Sequence, residues 1–248
     1  MKIAVLAKQT FDTEAKITLK DGKVSEDGIN LILNPYDEVA VEEALQIKEK
    51  QGGEVIVVTA GPEKTQDTLR QALAMGADKG VVVSADADAD EYARAGILAK
   101  AVGGLGADLI LCGHVAADDG SSQVPTRMAE ILNLPHVNVV RKLELNGGVA
   151  TCTRETDGGT EIIEVKLPAV ITCQVGMNEP RYPSMKGIMQ AKKKPVDKVA
   201  GEALANKTTV ESLFIPPPKA AGKKIEGEAA DVAAQLVNWL KNEARVVG

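Results

Sequence analysis

Short runs of β-branched and aliphatic residues recur along the first half of the chain. Between them, apolar positions return every three or four residues. That alternation predicts a parallel sheet covered by helices, an α/β fold. The runs Lys2–Ala7, Glu54–Thr59, Gly80–Ser84 and Ala107–Cys112 read as buried strands. Helices are expected from Asn34-Pro35 to Gly52-Gly53, over Pro62–Met75 and over Asp90–Val102. Asn34 suits an N-cap, Pro35 suits the first helical position, and Asp37, Glu38, Glu42 and Glu43 complement the positive end of the helix dipole. Ile17–Leu19 and Lys23–Ser25, separated by a turn at Asp21-Gly22, read as a hairpin excursion.

The fourth strand runs into Gly113-His114-Val115-Ala116-Ala117-Asp118-Asp119-Gly120-Ser121-Ser122-Gln123, and a helix is expected from about Ser122 to Leu132. Small residues at a strand-to-helix junction let backbone N–H groups face an anion, and in open parallel sheets ligands bind at such ends. Asp118 and Asp119 would repel a phosphate if they pointed at it. At least one is therefore expected to cap the helix or face away, while the backbone and the two serines donate. An ordinary N-capped turn accounts for the same spacing, and spacing alone leaves both open. His114 taken by itself reads as a surface or loop histidine.

Beyond about residue 140 the texture changes. Val149–Arg154, Glu161–Leu167 and Ala169–Gln174, with a tight turn at Asp157-Gly158-Gly159, read as an antiparallel extension. Met177–Lys194 is polar and basic, Lys198–Asn206 lacks a clean strand pattern, and Pro216-Pro217-Pro218 with Lys219–Gly227 reads as an extended linker. Ala229–Arg245 then carries Val232, Leu236, Trp239 and Leu240 at helical spacing, an apolar stripe that needs cover on this chain or another. The expected organisation is an α/β domain over residues 1–213 and a C-terminal arm over 214–248.

Composition narrows the function. Six aromatic residues and a formal charge of −6 offer neither stacking platforms nor a basic footprint, so nucleic acid is not an expected partner. Cys112, Cys152 and Cys173 sit in apolar runs without Cys-x-x-Cys spacing, which points to a reducing compartment. Two histidines and the absence of hydrolase or zinc motifs argue against triad and metal chemistry. No apolar stretch reaches the roughly 20 residues that span a bilayer, and Met1 leads straight into a strand, so neither a membrane span nor a signal peptide is expected. Gly103-Gly104-Leu105-Gly106 lacks the third glycine of a dinucleotide fingerprint and precedes a strand, and no Walker loop occurs.

The run from Asn178 to Lys194 combines Arg181, Tyr182, Met185, Ile188 and Met189 with Lys192, Lys193 and Lys194. Charge runs are usually solvated faces, but Met and aromatic side chains among charges suit an adaptable docking surface.

Asp157-Gly158-Gly159, Leu167-Pro168-Ala169-Val170 and Asn178-Glu179-Pro180-Arg181-Tyr182 through Lys194 resemble the small (beta) subunit of electron-transfer flavoproteins. The resemblance extends to Asn34-Pro35-Tyr36-Asp37-Glu38, to Ala72–Asp78, and to the order of segments over essentially the whole chain. It implies an adenine nucleotide alpha hydrolase-like domain and an alpha-subunit partner that carries most of the FAD site. It further implies a structural AMP lined by Leu6, Asn34, Pro35, Tyr36, Asp37, Ala60 and Gly113 to Val124. The stretch about 173–195 would be the recognition loop, with Met185 as the anchor for a partner dehydrogenase, and the arm would wrap the alpha subunit. In that family the chain accepts electrons from acyl-CoA dehydrogenases and delivers them toward a membrane quinone oxidoreductase. The flavin does the chemistry, and this chain needs no acid or base. A bacterial cytoplasm is the expected setting, with a mitochondrial matrix as the other.

Electron-bifurcating members hold a second FAD where others hold AMP, with a loop approximating Asp-Gly-Asp-Thr-Ala-Gln-Val-Gly-Pro. Here Asp118 to Pro125 keeps Gln123 and Val124 but not the Gly-Asp-Thr order, which favours AMP and leaves the second FAD as the alternative. A nucleotide-hydrolysing enzyme on the same fold, such as an ATP pyrophosphatase, would need a Ser-Gly-Gly-x-Asp-Ser type loop after the first strand. This chain has Ala7-Lys8-Gln9-Thr10 there.

Overall fold

The computed structural model describes residues 1–202, 204–219 and 221–247. Ala203, in the stretch Lys198–Asn206, and Ala220 and Gly248, in the linker and arm ranges, lie outside the described residues. The chain divides into two units, Met1–Ser212 and Leu213–Gly248.

In the first unit the elements follow in the order β1 (Lys2–Leu6), β2 (Gln9–Phe11), β3 (Leu19–Lys20), β4 (Lys23–Val24), β5 (Leu31–Leu33), α1 (Pro35–Gln51), β6 (Glu54–Gly61), α2 (Thr65–Met75) and β7 (Lys79–Ser84). They continue with α3 (Glu91–Gly103), β8 (Leu109–Gly113), α4 (Val124–Ile131), β9 (His136–Asn146), β10 (Val149–Thr156), β11 (Gly159–Lys166), β12 (Ala169–Cys173), α5 (Met185–Ala191) and β13 (Val196–Val199). A nine-stranded sheet runs β11-β10-β9-β12-β8-β1-β6-β7-β13. Its pairings are parallel from β9 to β13 and antiparallel across β9-β10-β11. The α/β class follows the sequence reading, as does the antiparallel pairing of β10 with β11, but Ala169–Cys173, expected in the antiparallel extension, lies inside the sheet and pairs parallel with both β8 and β9, which its unbroken run of buried residues requires.

Side-chain alternation sorts the central strands onto two faces. Ile3, Val5, Val55, Val57, Leu109 and Leu111 pack with α1 and α2, while Ala4, Leu6, Ile56, Val58, Ile110 and Cys112 pack with α3 and α4. The chain leaves β1 for β6 and β7 on one side and returns to β8 on the other, so the topological switch point lies beside β1.

Several elements differ from expectation. The hairpin forms as β3–β4, with Asp21 and Gly22 both at positive φ, as a two-residue I′ turn requires. The antiparallel pair β2–β5 beside it carries only three residues a strand, too few for periodicity to register. β9 has no clean strand signature in the sequence, because it is half-exposed and switches from a parallel partner to an antiparallel one at a bulge where Val139 takes a φ of 59°. β13 stands at the sheet edge with no residue fully buried, and a strand that buries nothing has no sequence stripe. Inside the basic run, Ser184 caps α5 by accepting the Gly187 N–H at 3.0 Å, and only Ala191 of that helix is buried.

Beyond β13 the segment through Thr208 is strapped to the start of α3. The Asp90 carboxylate accepts the N–H groups of Ala93 (2.8 Å), Lys207 (2.6 Å) and Thr208 (2.9 Å), and Asp90 donates its own N–H to Asn206 at 3.0 Å. The Ala93 bond foremost, with those from Lys207 and Thr208, holds the Asp90 carboxyl down at about 2. Leu204 packs so closely on Gly96 that a Cβ there would meet its methyl at 2.1 Å.

In the second unit α6 (Ala229–Asn242) forms within the expected range. Trp239 Nε1 donates to Glu243 at 2.9 Å, and Lys223 lies 5.6 Å from the indole ring centre. Leu236 and Val237 are exposed, while Val232, Trp239 and Leu240 are partly covered. Among the described residues no helix is long and apolar enough to cross a membrane.

Candidate functional site: a cleft at the carboxyl ends of the central strands

At the carboxyl ends of β1, β6 and β8 lies an open cleft, where ligands of open parallel sheets bind. Leu6, Val58, Ala60 and Leu98 form an apolar wall, and the loop from Gly113 to Pro125 forms the opposite rim.

The loop is seated by the start of α1. Asp37 is buried, and its carboxylate accepts the N–H groups of Gly113 and Lys8, both at 2.8 Å, tying β8 to the segment after β1. Burial pushes the Asp37 carboxyl up to about 6, against the opposing pull of the Lys8 and Gly113 backbone donors. Gly113 is required by proximity: a Cβ there would meet Asp37 Oδ1 and the Tyr36 Cβ at 2.6 Å and the Tyr36 carbonyl carbon at 2.7 Å.

Asn34 does not cap α1 with its side chain. Its amide donates to the Val115 carbonyl at 2.9 Å and its Oδ1 accepts the Ala117 N–H at 3.2 Å. The residue is diverted because the loop needs both partners, while Pro35 at the helix start already removes one orphan donor.

Neither Asp118 nor Asp119 caps α4. Both carboxylates instead take the Lys8 ammonium, at 2.7 and 2.6 Å. Asp119 also accepts the Ser121 N–H at 2.8 Å, and Gly120, at φ 64°, returns its N–H to the Ala116 carbonyl at 2.9 Å. Ser122 adopts φ 54°, just before α4 begins at Val124. Among the described residues no acceptor lies against the N–H groups of Ser122, Gln123 and Val124. Burial lowers His114, which leaves a neutral imidazole on the cleft wall, and it pushes the Cys112 thiol well above its ordinary value.

The structure thus brings together Leu6, Asn34, Asp37, Ala60, Gly113, His114, Val115, Ala116, Asp119, Ser121, Ser122, Gln123 and Val124 around one cleft. Pro35 and Tyr36 sit in the first turn of α1, and Ala117, Asp118 and Gly120 support the loop without lining the cleft. Sequence reasoning missed Lys8, Val58, Glu91, Arg94 and Leu98 as lining residues. The position of Lys8 just past the carboxyl end of a central strand was the available signal.

On the stretch from Asn178 to Lys194, Tyr182, Met185, Ile188 and Met189 are exposed, Tyr182 by 96% and Met185 by 77%. Arg181 turns inward. Its guanidinium binds Glu42 of α1 through Nε at 2.8 Å and Nη2 at 3.0 Å, and reaches Glu49 through Nη1 at 2.5 Å. Glu42 and Glu43, expected to serve the dipole of α1, are buried against Arg181 and Asn178.

Residues 21–204 match a family described as the electron transfer flavoprotein domain. Among similar proteins, the electron transfer flavoprotein subunit beta of Syntrophomonas wolfei is 61% identical over 247 residues, covering 99% of this chain and 98% of that one. The subunit beta of Bacillus subtilis is 45% identical with both chains covered in full, and that of Dictyostelium discoideum is 37% identical over 99% of each. With matches of this identity running end to end, the chain belongs to the electron transfer flavoprotein family, as a beta subunit.

Proposed function

We propose that this beta subunit holds an AMP in the cleft and works as half of a heterodimeric electron carrier, with an alpha subunit supplying most of the FAD site. Electrons would arrive from acyl-CoA dehydrogenases or related flavin dehydrogenases and leave toward a membrane quinone oxidoreductase. The observation that carries the nucleotide reading is the convergence, at the switch point, of an apolar wall with N–H donors that have no acceptor among the described residues.

The residues fit a nucleoside monophosphate. Leu6, Val58, Ala60 and Leu98 suit a base, while Ser122, Gln123 and Val124 offer an anion their N–H groups at the start of α4. FAD, when bound with the partner, supplies the redox chemistry. This chain's part is to bind, orient and dock. Docking would fall to Tyr182, Met185, Ile188 and Met189, whose exposure in a polar stretch is otherwise costly. Three free buried cysteines accord with a reducing compartment such as a bacterial cytoplasm.

The test is to denature the purified heterodimer and identify the released nucleotide by mass. One AMP per heterodimer beside one FAD is expected, whereas two FAD and no AMP would replace the reading with a bifurcating one. Gly120→Val places a β-branched residue at positive φ and should deplete the AMP, and full occupancy in that variant would count against the loop's role.

A further inference from the structure

Lys8 stands on the rim opposite the loop, and its ammonium bridges two adjacent carboxylates, Asp118 and Asp119. Its backbone is fixed on both sides: the N–H goes to Asp37 at 2.8 Å, and the carbonyl accepts the Asn34 N–H at 3.0 Å. The side chain is only 24% exposed, so it surrenders rotamer freedom that a surface ion pair rarely repays.

The charges around the cleft explain what such a bridge achieves. Lys8 and Arg94 are the cations among the described lining residues, and Arg94 is committed to the Ala89 carbonyl at 3.0 Å. Glu91 and Asp119 also line the cleft, with Asp118 adjacent. Without Lys8, an entering anion would meet two neighbouring uncompensated carboxylates a few residues from the free N–H groups of Ser122 to Val124.

We propose that Lys8 is a positioning residue. Its ammonium draws Asp118 and Asp119 onto itself, so that the phosphate of the bound nucleotide meets backbone donors instead of carboxylates. It acts through the two aspartates and does not itself ligate the phosphate. The inference rests on the reading of the cleft as a nucleoside monophosphate site.

The test uses the intact heterodimer stripped of nucleotide and titrated calorimetrically with AMP and with adenosine, which lacks the phosphate. Lys8→Met should weaken AMP by about tenfold or more and change adenosine by less than about twofold, because only the charged group feels the uncovered carboxylates. Lys8→Arg should retain AMP affinity to within about threefold, since it preserves the charge. Adding Asp118→Asn and Asp119→Asn to Lys8→Met should restore AMP to within about threefold of wild type, as no carboxylate then needs covering.

Undiminished AMP affinity in Lys8→Met would overturn the proposal. So would equal losses for AMP and adenosine, which would mark a collapsed loop. A triple variant as weak as Lys8→Met would assign Lys8 to the phosphate directly and overturn it too. Failure of the wild type to bind either ligand would remove the cleft reading and this one with it. Amide exchange over residues 116–123 in the nucleotide-free heterodimer distinguishes the two failures. If Lys8→Met accelerates exchange there and the triple variant reverses it, the lysine's hold on the loop stands even where the ligand assignment falls.

Discussion

Replacing Arg181 with alanine should damage the fold before it damages docking, and the structure sets the scale. Its guanidinium holds Glu42 with two hydrogen bonds, its backbone N–H adds a third at 3.2 Å, and Gln46 donates to the same carboxylate at 2.9 Å. The Glu42 side chain is 5% exposed and that of Arg181 is 35% exposed. Removing one partner of a fully buried pair costs about 3–5 kcal/mol. Water already reaches Arg181 and would enter the vacated space, so the discounted cost is about 2 kcal/mol. For a chain of this size that corresponds to a fall in melting midpoint of about 4–8 °C.

Arg181→Lys should cost about half as much, because it keeps the charge and loses the fork. Arg181→Ala with Glu42→Gln should recover part of the loss by removing the stranded charge.

The pH dependence has a definite sign. Burial alone would raise Glu42, but the Arg181 and Gln46 hydrogen bonds outweigh it and hold the carboxyl below its ordinary value. The pair's stabilisation is therefore complete above the unfolded carboxyl value near pH 4.3 and disappears as pH falls through the lower folded value. Urea midpoints measured on the heterodimer at fixed concentration, at pH 7 and pH 4, should show the gap between wild type and Arg181→Ala at pH 7 and a narrower one at pH 4. A variant within about 0.5 kcal/mol of wild type at both pH values would refute the reasoning.

Asp37, raised to about 6, behaves in the opposite sense. Folding takes up a proton there between about pH 4 and 6, which contributes on the order of 2–3 kcal/mol that is present below the unfolded value and lost as pH rises through 6. The stability of wild type relative to Asp37→Asn should accordingly be greater at pH 5 than at pH 7.5, and a pH-independent difference would contradict the assignment. Gly113→Ala should lower the melting midpoint by the equivalent of about 1–3 kcal/mol and deplete bound nucleotide, because its methyl would meet the Tyr36 backbone; an unchanged melting curve would show that the contact relaxes freely. Met185→Ala removes an exposed side chain and should leave stability and the flavin spectrum intact while slowing electron transfer from a dehydrogenase, with a loss on the order of 2 kcal/mol in docking; unchanged kinetics at limiting carrier would rule out the anchor.

What could be read from the sequence was whatever buries a continuous stripe. β1, β6, β7 and β8 each place several consecutive residues in the core, and so does the apolar face of α3, so periodicity finds them. β13 and α5 were illegible because one lies on the sheet edge and the other buries a single residue.

At the site, the small-residue loop announced itself, but the partners of its charges did not. Lys8 and Asp118 are 110 residues apart, as are Arg181 and Glu42 by 139, and pairings of that range are set by the sheet order and not by local spacing. Asn34 and Asp37 were identified for the right helix with the wrong partners. Local rules anticipated a cap and a dipole contact, whereas the buried loop offered donors and acceptors that cannot be left unmade.

The strap on Asp90 bears on where this polypeptide can be cut. The family match ends at residue 204 and the last strand at Val199, and either would be a natural place to end an expressed fragment. Both cuts discard Asn206, Lys207 and Thr208, which supply donors to Asp90 and the acceptor for its N–H. A cut after Val199 also bares the seat of Leu204 on Gly96. The same turn of α3 puts Glu91 and Arg94 into the cleft, so a fragment ended too early would loosen the cleft wall from behind. A fragment that keeps these contacts has to extend at least through Thr208, well beyond the last strand.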